Sequence, residues 1–270
     1  MGIVNLTPDS FSDGGAFADS GDALRHCERL VHEGADILDL GAESTRPGSA
    51  TLPLDDELAR LLPVLREALT LGVPISVDTN KAVVMRRALA MGADIINDVW
   101  ALRQPGARAA VAAHPNCGIC LMHMHGEPGT MQRAPPEGDA VAAVLAFWRE
   151  ATEALVDVNV SRERIVLDPG IGFGKSVAQN FSLLARQHEL LAAGYSLLTG
   201  WSRKSSLGAA SGIAVAGERL MPSIAAALLS VERGASIVRV HDVRATVEAL
   251  SIWLAAPADR PVVGTRQSAS

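Results

Sequence analysis

Short apolar runs, each closed by a polar residue, recur along the whole chain. Ile3-Val4 runs into Asn5, Ile37-Leu38 into Asp39, and Ile75-Ser76-Val77 into Asp78. Ile95-Ile96 ends at Asn97-Asp98, and Ile165-Val166-Leu167 at Asp168. Further on, Ser196-Leu197-Leu198 leads to Ser202-Arg203-Lys204, and Ile237-Val238 to Arg239 and His241. Strands buried on both faces read as continuous β-branched and leucine runs. Eight strands are therefore predicted, near residues 2–5, 36–40, 74–78, 94–98, 118–123, 164–168, 196–201 and 236–240. A helix is predicted after each one. Such strict alternation favours an α/β fold of the (β/α)8 TIM-barrel kind over a doubly wound sheet. In that fold the chemistry sits where the strands end, so the polar closures point to one pocket assembled from the whole chain.

One unit recurs three times. Glu33-Gly34-Ala35-Asp36-Ile37-Leu38-Asp39 is matched by Met91-Gly92-Ala93-Asp94-Ile95-Ile96-Asn97 and by Arg233-Gly234-Ala235-Ser236-Ile237-Val238-Arg239. In each, a helix is expected to end on a glycine in the left-handed conformation, and a short strand follows. The polar residue falls five positions after the glycine every time. Helical spacing is legible at Ala23–Val31, at Leu54–Leu69 behind the acids Asp55-Asp56-Glu57, before Gly92, at Ala140–Val156, at Ile224–Val231 and at Val243–Leu254. No Pro- or Gly-rich linker divides the chain, so one domain is expected over residues 1–256. Residues 257–270 lose periodicity and read as a flexible polar tail.

Composition narrows the function. At 270 residues the chain is close to the ~250 of one such barrel. A net charge of −6 argues against a broad polyanion-binding surface, and 4% aromatic residues argue against stacking platforms for single-stranded nucleic acid. Neither a secretory leader nor a membrane span is expected, because Met1 runs straight into a strand and no long uninterrupted apolar stretch follows. The three cysteines, Cys27, Cys117 and Cys120, fit a reducing cytoplasm. Cys117 and Cys120 have the spacing of a redox pair, but small residues packing at the start of a buried strand is the preferred reading.

Candidate chemistry follows from residue types. Asp168-Pro169-Gly170-Ile171-Gly172-Phe173-Gly174-Lys175-Ser176 misses the P-loop pattern, since its first glycine would fall at Pro169. Its glycines instead suit close approach of backbone to a flat ligand, with Phe173 offering a face. Asp78, Asn97, Asp168 and Lys204 form a second set. A carboxylate accepts two parallel N–H bonds from an amidine-like edge, Asn both donates and accepts, and Lys donates to a ring acceptor. Such a set selects a planar, nitrogen-rich heterocycle. Arg239 and His241 share one strand face; with Asn5 and a divalent metal they would clamp a diphosphate, because Mg2+ prefers substrate phosphates to all-protein cages. His123-Met124-His125 lacks a third ligand, so substrate-side or structural roles are preferred there. Trp100, Trp148, Trp201 and Trp253 are expected in packing. The loops after the first and second strands, 7–15 and 41–49, are rich in turn formers and are expected to act as lids.

Residues Met1 to Gly15, with Asn5-Leu6-Thr7-Pro8-Asp9-Ser10-Phe11-Ser12-Asp13 at their centre, resemble the opening signature of the dihydropteroate synthases. The stretches Glu43–Gly48, Asp168–Lys175, Ser202–Ser205 and Arg239–Asp242 resemble that family's in the same order. The resemblance implies a (β/α)8 homodimer. It implies condensation of 6-hydroxymethyl-7,8-dihydropterin diphosphate with p-aminobenzoate in folate synthesis. By it, Asp78, Asn97, Asp168 and Lys204 hold the pterin; Asn5, Arg46, Arg239 and His241 handle the diphosphate, with Mg2+ on Asn5. Thr45, Pro47, Phe173 and Ser205 surround p-aminobenzoate, where sulfonamides compete, while Asp39 supports the second loop and Asp9 the closed first loop. The rival readings are a pterin-binding methyltransferase domain and a non-catalytic pterin-binding protein.

Overall fold

The computed structural model describes residues 1–7, 20–44, 51–126 and 137–256. Eight strands are β1 (Gly2–Asn5), β2 (Leu38–Gly41), β3 (Ile75–Asp78), β4 (Ile95–Asp98), β5 (Gly118–Met122), β6 (Ile165–Asp168), β7 (Ser196–Thr199) and β8 (Ile237–Val238). They form one parallel sheet in sequence order. The α-helices are α1 (Ser20–His32), α2 (Leu54–Ala68), α3 (Ala82–Met91), α4 (Ala107–Ala112), α5 (Ala140–Val156), α6 (Val177–Ala185), α7 (Gln187–Leu191), α8 (Ser205–Ser211), α9 (Leu220–Glu232) and α10 (Val243–Ala255). Just past β8, the Ile3 amide donates to the Val240 carbonyl at 3.0 Å, and the Val240 amide to the Met1 carbonyl at 3.0 Å.

The threefold repeat is built as the sequence implies. Gly34, Gly92 and Gly234 sit at φ 96°, 112° and 92°. Behind each, Ala35, Ala93 and Ala235 donate back to the carbonyls of Leu30, Ala88 and Ser230. These bonds satisfy the last carbonyls of the preceding helices and turn the chain into the next strand. Leu38, Leu40, Ile75, Val77, Ile96, Ile119 and Leu121 are completely buried between sheet and helices. The register is tight: Asp39 pairs with Ser76, Asp78 with Asn97, and Met122 with Asp168. The polar closures of neighbouring strands therefore reach a common level.

Two features differ from the sequence-based expectation. The strands near 196–201 and 236–240 contract to Ser196–Thr199 and Ile237–Val238, although the Arg239 amide still donates to the Thr199 carbonyl and Val240 bridges to Gly2. The short helices α7 and α8 are additional. Ser205-Ser206-Leu207-Gly208-Ala209-Ala210-Ser211 has too little apolar periodicity to announce a helix. Residues 257–270, the expected tail, lie outside the described residues.

Candidate active site

The C-terminal ends of the strands open into a cavity of about 1500 Å³, lined among others by Asn5, Asp78, Phe173, Lys204, Ser205 and Arg239. Its organising element is a buried ion network. Arg239 Nε donates to Asp39 Oδ2 at 2.6 Å, and Arg239 Nη2 to Asp78 Oδ2 at 3.1 Å. Asn97 Nδ2 donates to the same Asp39 oxygen at 3.1 Å. The three residues that close the repeat, Asp39, Asn97 and Arg239, thus meet across up to 200 positions of sequence. Burial raises the Asp78 carboxyl to about 7; Arg239 opposes the rise and Asp39 adds to it. Asp39 is itself fully buried, and its Oδ1 has no partner. Its bonds run to Arg239 and Asn97, so within the described residues it supports the pocket floor.

The loop after β6 lines the cavity with Gly172 and Phe173. Asp168 Oδ1 accepts the Gly170 amide at 2.7 Å, and burial raises its carboxyl above the usual range while Lys204 opposes. The glycine loop then folds tightly over the end of β5. Gly170, Gly172 and Gly174 lie at φ 65°, 80° and 64°. A β-carbon on Gly170 would fall 1.9 Å from the His123 carbonyl oxygen. Lys175, near the end of the stretch that misses the P-loop pattern, turns inward. Its Nζ donates to the carbonyls of Gly170 (2.9 Å), Phe173 (3.1 Å) and His123 (3.3 Å), and burial lowers its amine to about 7. It stitches the loop and so fixes Phe173. Lys204 Nζ lies 4.4 Å from the Phe173 ring centroid and donates to the Ile171 carbonyl. Burial lowers the Lys204 amine to about 8, against the pull of Asp168.

The β7 and β8 ends are joined by side chains. Ser202 Oγ accepts the His241 amide at 3.1 Å and lies 2.9 Å from His241 Nδ1. Arg203 pairs with Asp242 at 2.6 Å. Arg203 holds φ 60°, a left-handed conformation that costs a non-glycine residue about 1–2 kcal/mol. Ser205 opens α8 at the exposed rim of the cavity. Asn5 is half-buried and lines the same space.

The structure thus brings Asn5, Asp39, Asp78, Asn97, Asp168, Phe173, Lys204, Ser205, Arg239 and His241 to one end of the sheet. Asp9, Thr45, Arg46 and Pro47 lie outside the described residues. At the base of the second loop, Glu43 is ion-paired with Lys81, which also binds the buried Glu57 at 2.6 Å. His123 and His125 do not act as a pair: His123 is buried edge-on against Phe147, with ring centroids 5.1 Å apart, and His125 is exposed. Cys27, Cys117 and Cys120 are buried free thiols. Trp148 and Trp201 are core residues, and Trp100 packs half-buried against Val99, Met122 and Met124, with Arg103 over its ring.

The pterin binding enzyme family matches residues 1–241. The dihydropteroate synthase of Neisseria meningitidis serogroup B is 51% identical over 258 residues, which span 94% of this chain and 90% of that protein. This chain belongs to the dihydropteroate synthase family. Membership extends to three dimensions. The Xanthomonas albilineans dihydropteroate synthase with 4-aminobenzoic acid superposes with a TM-score of 0.89 at 48% identity, over 95% of this chain and 93% of that one. The Burkholderia cenocepacia dihydropteroate synthase complexed with 7,8-dihydropteroate gives 0.86 at 51% identity, over 94% and 90%. The family match therefore covers every strand end described above.

Proposed function

We propose that this chain condenses 6-hydroxymethyl-7,8-dihydropterin diphosphate with p-aminobenzoate to give 7,8-dihydropteroate and diphosphate. The observation that carries the reading is Arg239, fixed by Asp39 and Asp78 in the wall of a cavity that Phe173 and Lys204 also line. Asp78, Asn97, Asp168 and Lys204 suit the donor and acceptor edge of the pterin. Arg239 and His241 face the leaving diphosphate, and Arg46 is assigned to it from the family resemblance. Thr45, Pro47, Phe173 and Ser205 surround the arylamine on the same ground, with Asp9 supporting the first loop.

In the reaction the pterin CH2–O bond breaks, its electron pair leaves with the diphosphate, and the arylamine nitrogen forms the new C–N bond and loses a proton. The CH2 cation that develops is conjugated with the pterin ring, where the carboxylates of Asp78 and Asp168 offset its charge. Arg239 neutralises the departing phosphate oxygens. The arylamine needs orientation more than activation, which the Phe173 and Lys204 wall supplies. Asn5 is the residue that would hold Mg2+. Its amide oxygen is a hard donor on the cavity wall, and the described residues contain no cluster of three His, Cys, Asp or Glu side chains fit for a metal. A single protein ligand suits an ion whose other ligands are phosphate and water. When bound, Mg2+ supplies further neutralisation of the diphosphate.

Four further readings belong with this one. The sheet closes as a (β/α)8 barrel, a reading supported by the Gly2–Val240 bridge. The enzyme is a homodimer, because Met221 and Leu229 on α9 and Ile252 and Leu254 on α10 expose 43–72% of their surface, an apolar area suited to a second copy. It works in the cytoplasm, where buried free thiols persist. Sulfonamides compete with p-aminobenzoate. A methyltransferase domain or a non-catalytic pterin binder would have no use for Arg239 and His241 aimed at a diphosphate. The test is direct: with Mg2+, purified protein should release diphosphate only when both substrates are present, and a sulfonamide should raise KM for p-aminobenzoate alone. A folded sample without turnover would overturn the reading.

A further inference from the structure

Arg219 lies outside the cavity and touches no group that meets substrate. It is nonetheless nine-tenths buried, and all three guanidinium nitrogens are committed to main-chain carbonyls. Nε donates to Ile213 O at 2.9 Å, Nη1 to Arg203 O at 2.9 Å, and Nη2 to Ala214 O. Two segments of chain, at 203 and at 213–214, are thereby tied to one planar group. Space has been left for it: a β-carbon at Gly208 would lie 2.6 Å from Arg219 Nε and 2.6 Å from the Ile213 carbonyl oxygen. Glycine in a helix interior is ordinarily unfavourable, so its presence in α8 matches the need to seat the guanidinium.

The residue gripped, Arg203, is itself in the left-handed conformation. The Arg203 carbonyl accepts from Arg219, and its amide donates to Ser223 Oγ at 2.9 Å. Ser223 in turn donates its amide to the Arg219 carbonyl at 3.0 Å. Both polar groups of the Arg203 backbone are therefore held by the start of α9. The next residues are Lys204, over Phe173, and Ser205 on the cavity rim. Relaxation of residue 203 to negative φ would rotate the 203–204 peptide and carry both side chains away from their places.

We propose that Arg219 is a positioning residue which, with Ser223, locks Arg203 in the left-handed conformation and so sets Lys204 against the pterin edge and Phe173, and Ser205 against the arylamine. This rests on the proposed condensation. Of the four pterin residues only Lys204 follows the clamp, since Asp78, Asn97 and Asp168 hang from β3, β4 and β6, whereas the arylamine loses both Ser205 and the Lys204–Phe173 wall, so the effect falls on p-aminobenzoate more than on the pterin.

The test compares R219K, S223A, R203N and the R203N/R219K double variant with wild type at 20 °C, each checked by thermal melting to be folded. R219K keeps the charge but cannot make three planar bonds. It is expected to raise KM for p-aminobenzoate about tenfold and KM for the pterin diphosphate less than threefold. S223A is expected to raise the first about threefold. Asn tolerates the left-handed region, so the R219K factor should shrink to threefold or less in the R203N background. Amide hydrogen exchange at residues 203–207 should quicken in R219K whether or not turnover is measured. An R219K enzyme within twofold of wild type for p-aminobenzoate, or an equal factor in both backgrounds, overturns the clamp. Should R219K not fold, an S223A enzyme with unchanged KM and unchanged exchange overturns it. Inactive wild type would overturn the condensation reading, and the exchange measurement would still judge the clamp.

Discussion

His123 offers a quantitative test of the view that the end of β5 is structural rather than a ligand site. Its ring is buried, its Nδ1 has no partner, and burial together with the nearby charges of Lys175, His125 and Arg103 lowers it to about 3. In the unfolded chain it titrates near ~6.5. The folded pKa is the lower one, so between pH 6.5 and 3 the unfolded state binds the proton and the folded state does not. Stability from this group is complete above pH 6.5 and is lost as pH falls. At pH 5 the loss is 1.36 kcal/mol times the 1.5 units below 6.5, or about 2 kcal/mol. His123→Leu keeps an apolar body against Phe147 and removes the titration. Urea unfolding of both proteins at pH 8 and pH 5 gives the result. Relative to wild type, the variant should gain about 2 kcal/mol on going from pH 8 to pH 5. Asp78, Asp98 and Lys175 titrate alike in both proteins, because His123 is neutral when folded throughout that range, and their contributions cancel. A difference that stays constant to within about 0.5 kcal/mol would show that His123 ionises in the folded protein, and would reopen this strand end as a polar ligand site.

The other predictions concern the pocket. Gly170→Ala combines a left-handed alanine with a β-carbon 1.9 Å from the His123 carbonyl and should cost about 3–5 kcal/mol, read by thermal melting; a loss under about 1 kcal/mol would contradict the described loop. Arg239→Met leaves Asp39 and Asp78 buried without their cation and should destabilise by about 3–5 kcal/mol at pH 8, as well as abolish diphosphate binding by calorimetry. Because Asp78 titrates near 7 and must be ionised to accept two N–H bonds, kcat/KM for the pterin diphosphate should fall as pH drops through about 7. Asp78→Asn should lower activity at least about 100-fold and abolish that limb; a retained limb would assign it to another group.

Much of this was legible before any coordinate. Apolar runs of two or three residues ending in Asn, Asp or Arg marked the strands and their direction, since a buried parallel strand places its polarity at its ends. The glycine of each repeat announced a left-handed helix stop because few other residues adopt that backbone cheaply, and Gly34, Gly92 and Gly234 all do so. What the chain itself could not announce is partnership. Asp39, Asn97 and Arg239 are alike in local context, and only curvature of the sheet brings them to one oxygen. Lys175 ends a stretch that misses the P-loop pattern, and nothing local says where its amine goes: three carbonyls converge on it because the glycine loop doubles back over β5. His123 and His125 differ by two positions and look equivalent, while one is core and the other solvent. Arg219 gave no signal whatever, for its role depends on a vacancy at Gly208 eleven residues earlier. Local pattern is set by backbone sterics and burial, which are properties of neighbouring residues. The site is set by which distant side chains share a desolvated volume, and that is decided when the sheet folds.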